Sequence, residues 1–289
     1  MTTVTSSTRL RHDSDATFRE WGSEFSGFLN TIGLVQTADT GQINWTTVTR
    51  PAANTEAGYE MWRFNDTQQG TSPVFLRFGY GTNANAAGPR IQLTVGTGSN
   101  GSGTITGTAP FTINNISASS TTETGDTLRN SYFCLVDGAF VWQWKNASST
   151  RSFGMVGRTV DSSGVADADG LMIILGGSNI FTSACMNFVG TDTITTKRTS
   201  VAAAQPCHWP QTPAASLVGS DQQVACVYGT FPRFRPIPWF VGCLDTEFLE
   251  AVTFTATMVG STPRTYLAGS ALENFMDAAT ILKHAMIWE

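Results

Sequence analysis

The chain has 289 residues, 41% of them hydrophobic and 13% charged, with a formal net charge of −5, and a chain of this length can bury roughly 70–75% of its unfolded surface as one large domain or two modest ones. With about half the usual share of charge, solubility falls to Thr, Ser, Asn and Gly, a surface that packs against other subunits with little charge repulsion. The acidic balance and the scattered basic residues exclude a phosphate-binding surface, and with it nucleic acid as a partner.

The first dozen residues of MTTVTSSTRLRHDSD are polar and read as an arm that orders on contact with a neighbour. They lack the apolar run of a secretory signal, and no window approaches roughly 18 apolar residues. The expectation is synthesis in a cytoplasm without membrane insertion. Phe18, Trp21, Phe25, Phe28 or Leu29, and Ile32 then follow one helical face, with Thr17 and Glu20 spaced as a capping box and Gly33 as the stop. That aromatic face packs either on the chain's own sheets or on a neighbouring subunit. A turn at Asp39-Thr40-Gly41 precedes a predicted strand holding Ile43, Trp45 and Val48.

From Gly58 to Gly107 the chain alternates with period two. Tyr59, Met61 and Arg63 alternate with Glu60, Trp62 and Phe64; Val74, Leu76 and Phe78 with Phe75, Arg77 and Gly79; Ile91, Leu93 and Val95 with Gln92 and Thr94. The breaks fall at Asn65-Asp66 with Gly70, at Gly79 to Gly88, and at Gly96 to Gly103, all rich in turn-forming residues. Three strands so joined make a meander. The blocks FREWGSEFSGFL, GLVQTADTGQINWTTVTRP, GYEMWRFNDTQQGTSPVFLRFGYG and QLTVGTGSNGSG, in that order within residues 9–107, resemble a group of largely uncharacterised virion structural proteins of tailed bacteriophages and prophages. The resemblance implies a virion part in the tail or baseplate region. It brings no catalytic residues with it.

Residues 108–130 read as a short strand and a long exposed loop, and Asp137-Gly138 marks a hairpin between the apolar runs of Tyr132 to Trp144. Further strands are predicted at Phe153 to Val160, Leu171 to Leu175, Met186 to Val189, Val224 to Tyr228 and Val252 to Val259. The three prolines in Pro232 to Phe240 mark an extended edge or connector. Leu272, Phe275, Met276, Ala279, Leu282 and Met286 fall near helical spacing, a short closing helix. The fold expected is mainly β, an antiparallel sandwich or barrel-like body over 36–289, divided near 108–130, behind an arm and helix over 1–35.

No cofactor or metal is expected. The loop GTGSNGSG lacks the Lys-Ser/Thr ending and following helix of a phosphate cradle. Asp161, Asp167, Asp169 and Gly170 offer oxygen ligands, but without the terminal Glu and flanking helices of a calcium loop they read as a solvated turn. On a strand Asp245 and Glu247 would share a face about 7 Å apart, a spacing that fits a glycosidic bond; with Glu250 they loosely resemble the acidic strand of laminarinase-like glycosidases. That motif runs Glu, Asp, Glu, however, and here the first two types are exchanged, so an exposed polar face or subunit contact is the simpler reading. Cys207 and His208 are adjacent and face opposite ways on a strand. The five cysteines, Cys134, Cys185, Cys207, Cys226 and Cys243, show no paired spacing and read as free core thiols.

The expected function is therefore non-enzymatic: a bacteriophage virion component made in the host bacterial cytoplasm, contacting copies of itself and other virion proteins. The candidate assembly contacts are Phe18, Trp21, Phe25, Trp209 and Trp239. Alternatives are a receptor module for host surface glycan, a head decoration protein, or a glycan depolymerase.

Overall fold

The computed structural model describes residues 13–83 and 88–107 in full, side chains at 132–135, 138–142, 154, 156–158, 166 and 171, and otherwise the backbone of the strands named here. In chain order these are Thr2–Arg9 (β1), the helix Asp15–Thr31 (α1), Val35–Gln36 (β2), Glu56–Arg63 (β3), Phe75–Thr82 (β4), Pro89–Gly96 (β5), Gly98–Ser99 (β6), Ile105–Thr106 (β7) and Phe111–Ala118 (β8). There follow Leu128–Val136 (β9), Ala139–Lys145 (β10), Arg151–Val160 (β11), Ala166–Gly177 (β12), Cys185–Val189 (β13) and Lys197–Arg198 (β14). The last are Val224–Cys226 (β15), Phe240–Cys243 (β16), Thr253–Ala256 (β17), Arg264–Leu272 (β18) and Leu282–Ile287 (β19).

The helix begins one turn before the expected capping box. Ser14 caps it: its Oγ accepts from the Thr17 N–H at 3.2 Å, and Thr17 Oγ1 accepts from the Ser14 N–H at 3.0 Å. Starting there puts Asp15 in the first turn, where a carboxylate suits the helix dipole and accepts the Arg50 N–H at 2.8 Å. The far end closes as foreseen at Gly33, whose φ of +99° suits glycine. The Leu34 N–H reaches Leu29 O at 3.1 Å and the Gly33 N–H reaches Asn30 O at 3.0 Å, the paired bonds of a Schellman stop.

Strands β3, β4 and β5 are the expected meander, in a five-stranded antiparallel sheet ordered β2-β3-β4-β5-β8. The register sets Trp62 opposite Leu76 and Leu76 opposite Val95, so one face carries Trp62, Phe64, Leu76, Phe78, Tyr80, Ile91, Leu93 and Val95 into the core. Two expectations shift here. The strand β4 runs on through Gly79-Tyr80-Gly81, because the glycines admit neighbours that a Cβ would strike: Glu56 Oε2 at 2.2 Å and Thr55 O at 2.2 Å. The predicted strand at Ile43 to Val48 is a turn instead, held by Asn44, whose Oδ1 accepts the Thr46 N–H at 2.9 Å and whose carbonyl accepts that of Val48 at 2.9 Å.

A second sheet is ordered β1-β9-β10-β11-β12-β13-β14, and β9 and β10 turn at Gly138, φ +75°. The arm expected to order on a neighbour pairs instead with β9 of its own chain, Thr2 opposite Leu135 through Arg9 opposite Leu128. Asp167, Asp169 and Gly170 lie within β12 rather than in a turn, and Asp161 lies outside the described residues. A third sheet is ordered β15-β16-β19-β18-β17. It replaces both ends of the expected closing helix with strand: Leu272 lies in β18 and residues 282–287 form β19, where pairing with β16 and β18 satisfies the backbone on both edges, while Phe275, Met276 and Ala279 lie outside the described residues. Each described sheet is open, so no closed barrel forms among these strands. The core lies between α1, the meander and β9 to β12: Phe25 meets Phe78 and Phe133 edge-on at 5.4 Å each, and Phe78 meets Phe140 at 6.0 Å.

Candidate functional site

Of the candidate assembly contacts, Phe18, Trp21 and Phe25 are each 0% exposed. Their spacing turns all three rings onto the chain's own sheets, so they hold the core together and offer no surface to a neighbour. Trp209 and Trp239 lie outside the described residues, as do Asp245, Glu247, Glu250, Cys207 and His208. Trp142 is buried and stacks on Phe140 at 5.3 Å, and Cys134 is buried and in no disulfide. Among the described residues no three His, Cys, Asp or Glu side chains gather as metal ligands, and no helix is long and apolar enough to cross a membrane.

Three polar clusters stand out, none of them singled out by periodicity. The first is inside the core. Glu60 is 2% exposed and accepts from Trp45 Nε1 at 2.9 Å, Trp62 Nε1 at 3.1 Å and the Tyr80 hydroxyl at 2.5 Å. Burial, reinforced by the Glu60 charge and the bond to it, pushes the Tyr80 phenol well above its ordinary value.

The second joins the meander sheet to the seven-stranded sheet. Arg158 of β11, 3% exposed, grips Asp66 with Nη1 at 2.5 Å and Nη2 at 2.9 Å, and its Nε donates to Ser72 O at 2.5 Å. Its guanidinium also lies over the Phe64 ring at 5.2 Å.

The third covers the outer face of the meander. Arg77 of β4 pairs with Glu56 through Nη1 at 3.2 Å and Nη2 at 2.5 Å, donates Nε to Gly103 O at 2.9 Å, and lies 4.7 Å from the Tyr59 ring centre. The Tyr59 hydroxyl donates to Thr40 O. Asp39 then ties the 37–42 segment to the β6–β7 hairpin: it accepts from Thr37 Oγ1 at 2.6 Å, from the Gly103 N–H at 3.2 Å and from Ser99 Oγ. Burial raises the Asp39 carboxyl, and these hydrogen bonds outweigh it, leaving it below its ordinary value. Gly103 is required beneath this roof, since its φ is +89° and a Cβ would sit 2.3 Å from the Tyr59 ring.

In the first two clusters the charge is spent on holding segments together. The third contains the one arrangement with chemical potential, a carboxylate, a hydroxyl and an Asn-Gly peptide in series at the hairpin tip. The available signal was the dipeptide Asn100-Gly101 beside Ser99; nothing local in sequence ties it to Asp39, 60 residues earlier. No family model, no curated protein and no solved structure matches the chain.

Proposed function

We propose that the chain is a non-enzymatic structural component of a tailed-bacteriophage virion, placed in the tail or baseplate region and used in several copies. The observation that carries this reading is the order of the four resembling blocks within residues 9–107. Those blocks supply most of α1, the segment 33–51, most of the meander, and β6 with the tip of its hairpin, so the resemblance spans parts that fold against one another. A low-charge surface supports the same reading. The body is read as sandwich-like, with the meander and β9 to β12 as facing layers around α1.

The test is to purify particles from a lysate on a density gradient and follow this chain by peptide mass spectrometry and labelled antibody. The expected result is co-migration with the particles at a fixed ratio to their other proteins, with label at the tail end. Recovery only among free proteins would overturn the proposal. Label on the head would keep the structural role and refute the tail placement.

A further inference from the structure

We propose that Asn100 modifies itself: the tip of the β6–β7 hairpin is arranged to close the Asn100 side chain onto the Gly101 nitrogen as a succinimide, which water opens to aspartate or isoaspartate at that position.

Ring closure needs an unhindered nitrogen that can shed a proton, a polarised side-chain carbonyl, and a frame that holds the two together. The Gly101 N–H donates to Ser99 Oγ at 3.1 Å, and the Ser99 hydroxyl donates in turn to Asp39 Oδ2. A proton leaving the nitrogen therefore has an acceptor in place, itself backed by a carboxylate. On the electrophile side Asn100 Oδ1 accepts two backbone N–H groups, Ser102 at 2.9 Å and Thr104 at 3.0 Å. Those donors stand where negative charge develops when Cγ is attacked, the arrangement that stabilises a tetrahedral oxyanion. The frame is fixed by the Asn100 N–H on Thr104 O at 3.0 Å and by Gly101 O, which accepts the Thr40 N–H at 2.9 Å. Gly101 has no side chain to obstruct the approach, and beyond its two chain neighbours no heavy atom lies within 4 Å of where a Cβ would stand. Asn100, Gly101 and Ser102 are exposed, so ammonia can leave and water can enter.

The step balances without any co-reactant but water. The Gly101 nitrogen gives its proton toward Ser99 as it bonds to Asn100 Cγ. The intermediate collapses with cleavage of the Cγ–Nδ2 bond, and Nδ2 takes up the proton and leaves as ammonia. Water then adds to either ring carbonyl. Opening toward isoaspartate lengthens the main chain at the tip and adds a carboxylate beside the loop that carries Asp39, loosening the hairpin over Tyr59. The event happens once per chain and consumes no substrate.

The experiment follows position 100 by peptide mass spectrometry in the full chain at neutral pH, counting the species lighter by one ammonia and the isoaspartyl product. A parallel sample is held in denaturing urea. The native chain is expected to convert about tenfold faster than the denatured one, a modest share of what positioned proton transfer gives in enzymes. Ser99→Ala, checked for folding by its melting temperature, is expected to bring the native rate down to the denatured one. A native rate equal to or below the denatured rate would overturn the proposal, because the bonds to Oδ1 would then be holding the side chain away from Gly101. A folded Ser99→Ala chain converting at the wild-type rate would overturn it too. If that variant does not fold, the wild-type comparison decides alone.

Discussion

Glu60 shows how much one buried residue can organise. Its two oxygens meet two indole N–H groups and one phenol, drawn from the 44–48 turn, β3 and β4, with no cation among those partners. Glu60→Gln keeps one acceptor oxygen and sets an NH2 donor against another donor, so it is expected to lower the unfolding free energy by about 1–3 kcal/mol in a urea titration. The same cluster sets a pH dependence through Tyr80, whose ordinary value is 10.0 and whose folded value is raised by burial first and by Glu60 second. Above the unfolded value the unfolded chain loses the phenolic proton while the folded chain keeps it. The proton therefore favours the folded state fully below about pH 10, and that contribution is lost as pH rises toward the folded value. Melting temperature should fall across that alkaline range, and Tyr80→Phe should flatten the fall. Some slope should persist in that variant, because Tyr59 is raised as well, by burial and then by the Asp39 charge. A fall equally steep in the phenylalanine variant would refute the assignment.

Two glycines on α1 test what the element requires. Gly27 faces open space, and a Cβ there would meet nothing within 4 Å. Gly27→Ala should raise stability by about 0.5–1 kcal/mol by removing backbone freedom from the unfolded chain. Gly22, five residues earlier on the buried side, would drive a Cβ to 1.9 Å from the Trp45 ring, so Gly22→Ala should cost about 1–3 kcal/mol by overpacking. Thermal melts of the two variants should shift in opposite directions; equal shifts would mean that Trp45 does not rest on this helix. These contrasts also mark what the sequence could disclose. The face of Phe18, Trp21, Phe25, Leu29 and Ile32 was legible because one period covers it, and Gly33 because a Schellman stop calls for glycine. The start was misread by one turn, since Ser14 and Thr17 serve as well as Thr17 and Glu20 and the choice is made by Asp15 meeting Arg50, 35 residues on. Trp45 looked like a strand residue by its neighbours, yet it takes its place from Asn44 and Gly22. Residues 282–287 have apolar positions compatible with both periods, and only the presence of β16 and β18 decides for a strand.

At the scale of the whole molecule the question is how the meander is fastened to the seven-stranded sheet. Apolar packing does most of it, because Phe78, Phe133 and Phe140 share one core. Such contact is forgiving of small slides, whereas the Arg158 fork is directional: it fixes Asp66, Ser72 O and, at 3.2 Å, Gln69 Oε1 at once. Ser72 Oγ adds a bond to Ala166 O at 3.3 Å, so the 65–72 loop is held by both β11 and β12. No reading of the sequence could pair Asp66 with a residue 92 positions away, and the loop had seemed only a turn. Lysine cannot replace the fork, since its ammonium offers no planar pair of donors to a carboxylate. Asp66 keeps 36% of its side-chain surface exposed, so when it loses Arg158 its charge can turn to water, and the loss is milder than for a fully buried pair. Arg158→Lys is therefore expected to cost about 1–3 kcal/mol. Hydrogen exchange should locate that cost, with protection lost first at the 65–72 amides and far less at the paired amides of β4 and β5. An evenly spread loss would assign Arg158 to general core stability; a loss confined to the loop identifies it as the latch between the two sheets.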